Sequence, residues 1–578
     1  MLYKSLIARA TDSGAIPAAA STRKGRSLVR EKTFVAQVRQ DKRQISLLSL
    51  LPFLVVALTL LPVLVVASSL LTPTWHVWAH LWSTILPELL LNTAVLLLGV
   101  GCGTLLLGTG LAWLVTAYEF PGKRTFEWLL VLPMAMPAYI MGFVYMAIFD
   151  FAGPIQTFLR AQGLEALVFW EIRSGYGAIT IMTLVLYPYV YLLAKAGFAE
   201  QSGSAIEAAK VLGSSKTRLF FQVAMPLARP SIVAGVSLAL MEALADFATV
   251  RYFNFPTMAD GILRVWHGLM DLGAASEMAG LLAILALLLM LSEHRLRNRR
   301  AYHQVRGKGQ GLPTMFLGGW RGLVAAGLCV FVVFAAFGLP LIQLLVWGSR
   351  ELGQLTPGTL AVYARLLANS LSLAGIAAAI VVAVALLMAT LTRLRSGALS
   401  RLLTRVVTTG YALPGAVIAV GILLPLSALD RSINSVSEAW WGVRPGLIFT
   451  GSIVGLVYAY TVRFMAVAYN SVDSSLEKIP PNTVLAARVL GASTRRLITK
   501  VQLPLIAPGI LAGAILVFVD VMKELPITVM LRPLGYDTLA VWVWQMAAES
   551  LWTSVALPAL AIVLAGLIPI KLLLSQSK

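Results

Sequence analysis

The sequence has few charged residues. Asp, Glu, Lys and Arg together make up 12% of its 578 residues, about half the share usual for a soluble protein. Apolar residues make up 58%, and the mean hydropathy is +0.82. A chain of this composition must expose apolar surface to something other than water, which excludes an ordinary soluble enzyme. The composition therefore predicts an integral membrane protein.

Cysteine is almost absent. Cys102 and Cys329 are the only two, and both lie within apolar runs. Two distant cysteines supply neither a disulfide framework nor a thiolate metal site. A phosphate-binding loop is also lacking: Lys123 and Lys308 follow glycines, but without the upstream glycine and the Ser or Thr of G-x-x-x-x-G-K-[ST]. We therefore expect that the chain does not hydrolyse ATP and is not an enzyme.

Acidic residues are outnumbered by basic ones, 26 against 46, which gives a formal net charge of +20. The basic residues cluster in the tail 1–44, at Lys123 and Arg124, and in the stretches 295–308 and 393–405. These clusters fall on one side if every apolar segment crosses the membrane once, and that side is predicted to be the cytoplasm, with both termini inside. Aromatic residues do not alternate with them, so we expect contact with membrane lipids and no nucleic-acid partner.

Apolar stretches long enough to cross a hydrocarbon core of about 30 Å as helices recur along the chain. We predict an all-α integral membrane fold with about twelve transmembrane helices, at residues 45–71, 88–118, 126–149, 176–198, 230–248, 276–293, 319–348, 366–392, 402–428, 446–468, 506–524 and 552–574. The expected domains are a basic cytoplasmic N-terminal tail, a first transmembrane domain, a basic cytoplasmic linker and a second transmembrane domain, at residues 1–44, 45–293, 294–318 and 319–578.

The two halves of the chain contain a matching segment. Residues 207–235 and 485–513, 278 positions apart, are identical at 15 of 29 positions. Composition alone would give about three identities, at about a tenth per position. The chain is therefore predicted to consist of two homologous halves of about six helices each, an organisation common among transporters.

Both copies of the repeated segment fall on the predicted cytoplasmic side, between the fourth and fifth helices of their half. Each is expected to form a short helix with small residues, a turn at a glycine, and a basic stretch that re-enters the membrane at a proline. Small side chains and a tight turn make an exposed knob that a partner protein can approach closely. A duplicated connecting turn without a partner is the alternative interpretation.

The repeated segment resembles the coupling motif of importer-type ABC transporter permeases, EAA followed by three residues, Gly, nine residues and I-x-L-P. The matching positions are Glu207, Ala208, Ala209, Gly213 and Pro226 in the first copy and Ala486, Ala487, Gly491 and Pro504 in the second. The resemblance implies that each copy docks on one ATPase subunit. Two ATPase subunits would then bind ATP and Mg²⁺, and this chain would carry no cofactor. Leu485 stands where the family has Glu, which implies unequal contacts.

Three further stretches, at 132–145, 243–253 and 523–540, resemble the fused ferric iron permeases. This resemblance covers nearly the whole chain beyond the tail. It implies the membrane subunit of an ATP-driven importer in a bacterial inner membrane, which receives ferric iron from a periplasmic binding protein. Fused permeases for thiamine, polyamines or phosphonates share the architecture and stay open as alternatives.

Four carboxylates are the candidate substrate pathway. Glu242 and Asp246 lie four residues apart near the outer end of the fifth helix, and Asp520 and Glu524 occupy the same places 278 residues later. This spacing is expected to stack each pair on one helix face, and the internal symmetry brings the two faces together about a central pathway. Acids inside a membrane are costly and are functional candidates by default. Their hard oxygens suit transient contact with ferric ion, without a stable metal site.

Other interpretations of these acids stay open. They could pair with Lys523, Arg251 or Arg532 and brace an outer gate. Because like charges four residues apart repel, at least one acid of each pair is expected to be protonated or salt-bridged. They could also be ion sites of a gradient-driven secondary transporter, or the chain could be a channel. The mixed charge of the outer loops 249–275 and 525–551 suits either a docked binding protein or plain solvation.

Overall fold

The computed structural model describes residues 50–164, 171–201, 209, 211–269, 271–298, 314–394 and 397–576. The chain divides into two units, residues 1–54 and 55–578. Of the first unit only residues 50–54 are described, as a turn residue and the start of a helix, and all other described residues belong to the second unit. The expected tail at 1–44 and residues 299–313 of the expected linker lie outside the described residues.

The described residues of the first half form helices and one two-residue strand. In chain order its elements are α1 (Leu51–Ser69), α2 (Trp75–Thr84), α3 (Leu86–Ala117), β1 (Tyr118–Glu119), α4 (Lys123–Leu129), α5 (Ala138–Phe149), α6 (Pro154–Ala161), α7 (Gly175–Ala199), α8 (Lys216–Leu219), α9 (Met225–Ala245), α10 (Ala248–Tyr252), α11 (Met258–Leu269) and α12 (Leu272–Asn298).

The second half begins with the other strand and continues with helices. Its elements are β2 (Met315–Phe316), α13 (Gly319–Val333), α14 (Leu339–Leu352), α15 (Pro357–Leu394), α16 (Ala398–Thr408), α17 (Gly415–Trp441), α18 (Ile453–Glu477), α19 (Pro481–Val489), α20 (Thr494–Leu497), α21 (Leu503–Lys523), α22 (Pro526–Leu531), α23 (Leu539–Ala548) and α24 (Trp552–Gln576). Strand β2 pairs in parallel with β1, with Met315 opposite Tyr118 and Phe316 opposite Glu119.

Twelve helical segments within the described residues are long and apolar enough to cross a membrane. This finding confirms the predicted all-α membrane fold and its number of spans. A helix satisfies its own backbone hydrogen bonds, which a segment surrounded by lipid requires. Large apolar side chains such as Leu98, Leu106 and Leu323 are exposed along these helices, as lipid-facing residues are.

The same three-helix packing recurs in each half. Helix α7 packs against α3 and α9, and α18 packs against α15 and α21. Gly235 on α9 and Gly513 on α21 are 278 positions apart and lie at these crossings. A Cβ at Gly235 would come within 2.7 Å of the Cα of Val190, and one at Gly513 within 3.1 Å of the Cβ of Ser471. Small residues here permit the close helix approach on which packing in membranes depends.

The third predicted helix of each half, at 126–149 and at 402–428, is broken. The chain leaves α4 and α16, passes through a single 3₁₀ turn, and begins α5 and α17 directly after Pro137 and Pro414. Both prolines have extended backbone, with ψ of 146° and 141°. The prediction of one continuous helix was wrong here because a hydropathy window measures apolar content and not helix continuity, and proline interrupts the helix.

Helix α17 extends much farther than its counterpart α5. The two begin at equivalent prolines, but α5 has 12 residues, about 18 Å, and α17 has 27, about 40 Å. We call residues 429–452 the arm. One face of α17 contacts the chain that follows it, residues 444–450. Asp430 accepts hydrogen bonds from the backbone N–H groups of residues 448–450. Asn434 exchanges two 2.8 Å hydrogen bonds with Gly446, and Glu438 forms an ion pair with Arg444.

Candidate functional site

The second copy of the repeated motif forms a helix that ends at a glycine. Helix α19 is closed by two bonds, from the Gly491 N–H to the Arg488 carbonyl and from the Ala492 N–H to the Ala487 carbonyl, both 3.0 Å. Gly491 has a φ of +83°, the left-handed conformation that this closure needs and that glycine adopts without strain. The Ser493 hydroxyl then accepts from the Arg496 N–H at 3.3 Å and caps α20.

The first copy has the same geometry at its described residues. Gly213 has a φ of +76°, the Ser214 N–H donates to the Ala209 carbonyl at 3.0 Å, and Ser215 caps α8 through the Arg218 N–H. Both copies continue through one turn of π-helix before α9 and α21. Glu207 and Ala208 lie outside the described residues.

Both knobs, residues 207–226 and 485–504, present apolar side chains to the outside. Val211 and Leu212 are 88% and 83% exposed, and Val489 and Leu490 are both 87% exposed. Pro226 and Pro504, the second residues of α9 and α21, are exposed too, as is Ala486. Ala209 is buried and Ala487 is half-buried. Clustered apolar exposure next to basic residues is typical of a surface that a partner protein covers. Leu485 adds a further exposed apolar side chain in the second copy.

Glu242, Asp246, Asp520 and Glu524 line one cavity between the two halves. Including its open mouth, the cavity contains about 910 Å³ of empty space. The loops that precede α5 and α17 contribute to its wall, together with the ends of α9 and α21. The structure thus brings together the four acids that the sequence singled out.

The acids of the second half are neutralised by basic side chains. Lys523 Nζ lies 2.9 Å from Asp520 Oδ1, and Arg463 Nε lies 3.4 Å from Glu524 Oε2. The side chains of Arg463 and Glu524 are each only 7% exposed. Arg463 also donates to the carbonyl of Leu413 at 3.3 Å, so this arginine links α18 both to the end of α21 and to the residues just before α17.

The acids of the first half have neutral partners. The Tyr411 hydroxyl donates to Glu242 Oε1 at 3.1 Å across the boundary between the halves, and Asp246 accepts from the backbone N–H and the hydroxyl of Thr249, both at 2.7 Å. Among the ion pairs of the described residues, none includes Glu242 or Asp246. Val185 and Ala245 stand where the second half has Arg463 and Lys523, which explains this difference in charge.

One expectation about the acids was wrong. Asp246 and Glu524 do not lie on the helix face of their partners: each is the first residue past its helix, with ψ of 119° and 123°. Their carboxylates instead accept from the N–H groups that open α10 and α22, because an acid can cap a helix N-terminus. Of the three basic partners considered for the acids, Lys523 pairs with Asp520, whereas Arg251 and Arg532 pair with Asp260 and Asp537.

Arg463, Tyr139, Tyr189 and Tyr411 also line the cavity, and none of them was predicted from the sequence. Arg463 did have a signal, because an arginine within an apolar span is a functional candidate in its own right. The tyrosines had none, since a tyrosine in an apolar run is ordinary. Within the described part of the chain, no group of three or more His, Cys, Asp or Glu residues is arranged to hold a metal ion.

The described residues form twelve apolar helices in two similar halves, with paired knobs and a charged cavity between the halves, and these features define a multi-pass membrane transport subunit. The family described as binding-protein-dependent transport system inner membrane components matches this chain twice, at residues 104–300 and 375–574. The two matches cover more than half of the sequence. The chain belongs to that family.

Proteins similar to this chain are named for different substrates. The Fe(3+)-transport system permease protein FbpB 2 of Haemophilus influenzae is 27% identical over 488 residues, 84% of this chain and 89% of the relative. The sulfate transport system permease protein CysT of Salmonella typhimurium is 26% identical over 38% of this chain and 82% of its own length. A putative molybdenum transport system permease protein, YvgM of Bacillus subtilis, is 30% identical over 30% of this chain and 75% of its own length.

Proposed function

We propose that this chain is the transmembrane subunit of an ATP-driven importer that translocates ferric iron delivered by a periplasmic binding protein. The observation that carries the proposal is the acidic cavity between the halves. Four acidic and two basic side chains line it, so its formal charge is −2 when all are ionised. A negative cavity attracts a cation and repels oxyanions such as sulfate and molybdate. The similarity to a ferric permease over 84% of the chain supports the same cargo.

In this proposal the energy comes from two copies of a separate ATPase subunit, which bind ATP and Mg²⁺. Each copy docks on one knob, and the exposed Val211, Leu212, Val489 and Leu490 supply the apolar contacts. ATP binding closes the ATPase pair, and the knobs transmit this movement to α9 and α21, whose far ends carry the acids. The halves then rock about the cavity and open it alternately to either side.

The proposed location is a bacterial inner membrane, with both termini and the knobs in the cytoplasm. The positions of the basic clusters support this orientation. In the same orientation the loops at 249–275 and 525–551 and the arm lie on the periplasmic side, where the binding protein delivers its cargo. The domain boundaries at 45–293 and 319–578 follow the two halves and stay part of the proposal.

The test is a comparison of cargoes and energy sources in proteoliposomes containing the permease, its ATPase subunit and its binding protein. We expect uptake of radiolabelled ferric ion that requires ATP and is not competed by sulfate or molybdate. Uptake of another solute, such as thiamine, a polyamine or a phosphonate, in place of iron would overturn the cargo assignment. Uptake that survives ATP depletion but not an uncoupler would identify a secondary transporter and overturn the mechanism.

A further inference from the structure

The hydroxyl of Tyr139 is buried in the acidic cavity without a partner. Tyr139 is the second residue of α5, lines the cavity and is only 5% exposed. Within the described residues its hydroxyl oxygen has no hydrogen-bond partner. An unsatisfied buried hydroxyl destabilises the folded protein, because the group loses its bonds to water and gains none in return. A buried hydroxyl without a partner in a transport cavity is explained if it binds a partner, such as the cargo, at another stage of the transport cycle.

The charge on the first-half acids of the cavity is unlike that on the second-half acids. Lys523 and Arg463 hold the second-half acids in ion pairs. Glu242 and Asp246, on the same half as Tyr139, have hydrogen bonds from neutral groups instead. At the position equivalent to Tyr139, two residues after the proline that precedes α17, the second half has Ala416. The phenol and the two acids without a basic partner therefore belong to the same half.

We propose that Tyr139, Glu242 and Asp246 form a transient binding subsite for the ferric ion, with the Tyr139 oxygen as a direct ligand. The inference depends on the proposed function, because it takes ferric iron as the cargo. Ferric ion is a hard cation that prefers anionic oxygen ligands, and a phenolate and two carboxylates are such ligands. When Tyr139 binds, its O–H bond is replaced by an O–Fe bond, the proton leaves to water, and the metal stays ferric.

The subsite also gives the second-half ion pairs a role in release. While the ferric ion occupies the first-half side, Lys523 and Arg463 keep Asp520 and Glu524 from binding it at the same time. The ion is then held by only part of the available oxygen donors. A transport site must bind its cargo weakly enough to let it leave, which an arrangement of all four acids around the ion would prevent.

Visible absorption spectroscopy tests this assignment directly, because ferric phenolates absorb in the visible and ferric carboxylates do not. The purified permease with its ATPase subunit, in lipid nanodiscs, is titrated with ferric nitrilotriacetate. We expect a charge-transfer band in the wild type, its loss in Tyr139→Phe, and at least tenfold weaker retention of iron in that variant. Tyr469→Phe is the matched control: Tyr469 is buried outside the cavity beside Thr392 and Thr404, and its variant should keep the band.

Tyr139→Phe keeps the ring and removes only an unpartnered hydroxyl, so its thermal unfolding midpoint should equal or exceed that of the wild type. A band that persists in Tyr139→Phe but disappears in Tyr411→Phe would overturn the assignment to Tyr139. So would a wild type that binds iron without a band. If wild-type proteoliposomes take up iron and Tyr139→Phe does so at the same rate, the subsite is wrong while the proposed function stands. If the wild type takes up no iron, the proposed function itself is wrong.

Discussion

The ion pair between Arg463 and Glu524 is the most sensitive electrostatic contact of the cavity. Both side chains are 7% exposed, so removal of either one leaves the other charge buried and unpaired. Breaking such a pair costs about 3–5 kcal/mol of folding free energy. Arg463→Met also removes the hydrogen bond to the Leu413 carbonyl, worth about 1 kcal/mol. Replacing both charges, in Arg463→Met/Glu524→Gln, leaves no stranded charge and should restore most of the lost stability.

Thermal unfolding of the purified permease in nanodiscs measures this effect. Arg463→Met should lower the midpoint strongly, and the double variant should recover most of it. Arg393→Met is the matched control, because Arg393 pairs with Asp473 where the two side chains are 36% and 28% exposed. Its loss should cost no more than about 1 kcal/mol. An Arg463→Met variant as mild as Arg393→Met, or a double variant no more stable than the single one, would refute the burial argument.

The double variant also separates the two roles considered for Glu524. If the carboxylate only braces the cavity through its ion pair, the stable double variant should transport iron at the wild-type rate. If Glu524 lies on the substrate path, as we propose, the double variant should fold but take up iron slowly. Uptake at the wild-type rate would remove Glu524 from the path and leave it a structural residue.

Two more predictions concern the knobs and the arm. Gly213 and Gly491 have open space where a Cβ would lie, so alanine at either position causes no steric clash. Its only cost is the conformational free energy of the left-handed backbone, about 1–2 kcal/mol. We expect alanine at either glycine to weaken binding of the ATPase subunit by up to about 5–30-fold, and asparagine to weaken it less. Co-purification titration measures these affinities. Affinities of both variants equal to that of the wild type would contradict the cap geometry. Asp430→Ala leaves three backbone N–H groups unpaired and should speed proteolysis at residues 442–452, whereas an unchanged rate would show that Asp430 does not fasten the arm.

Much of the fold was predictable because its determinants are local in sequence. The twelve predicted apolar stretches correspond in number to the twelve membrane-length helices found among the described residues, since a helix in lipid needs little more than length and apolar composition. The repeat of 278 residues also predicted where the acids of the two halves would meet, because equivalent residues of two similar halves face one another. The left-handed glycines at 213 and 491 follow from the same repeat.

The details of the cavity depended on features that hydropathy does not detect. The breaks before Pro137 and Pro414 depend on local backbone geometry. They bring Tyr139 to the cavity wall and Gly415 close to Glu524 and Arg463. The four-residue spacing of the acids predicts a shared helix face, but spacing does not show that each helix ends one residue before Asp246 or Glu524. Arg463 pairs with Glu524 across 61 residues of sequence, and no periodic pattern predicts which helices come into contact.

In the proposed mechanism the knobs couple ATP hydrolysis to the passage of ferric ion through the acidic cavity. The decisive measurement is uptake of radiolabelled ferric ion and ATP hydrolysis together in the reconstituted system. Gly213→Pro should abolish both activities, because proline cannot adopt the φ of +76°. Glu242→Gln/Asp520→Asn should stop uptake while hydrolysis continues. Uptake at the wild-type rate in the carboxylate variant would show that ferric ion does not pass these acids.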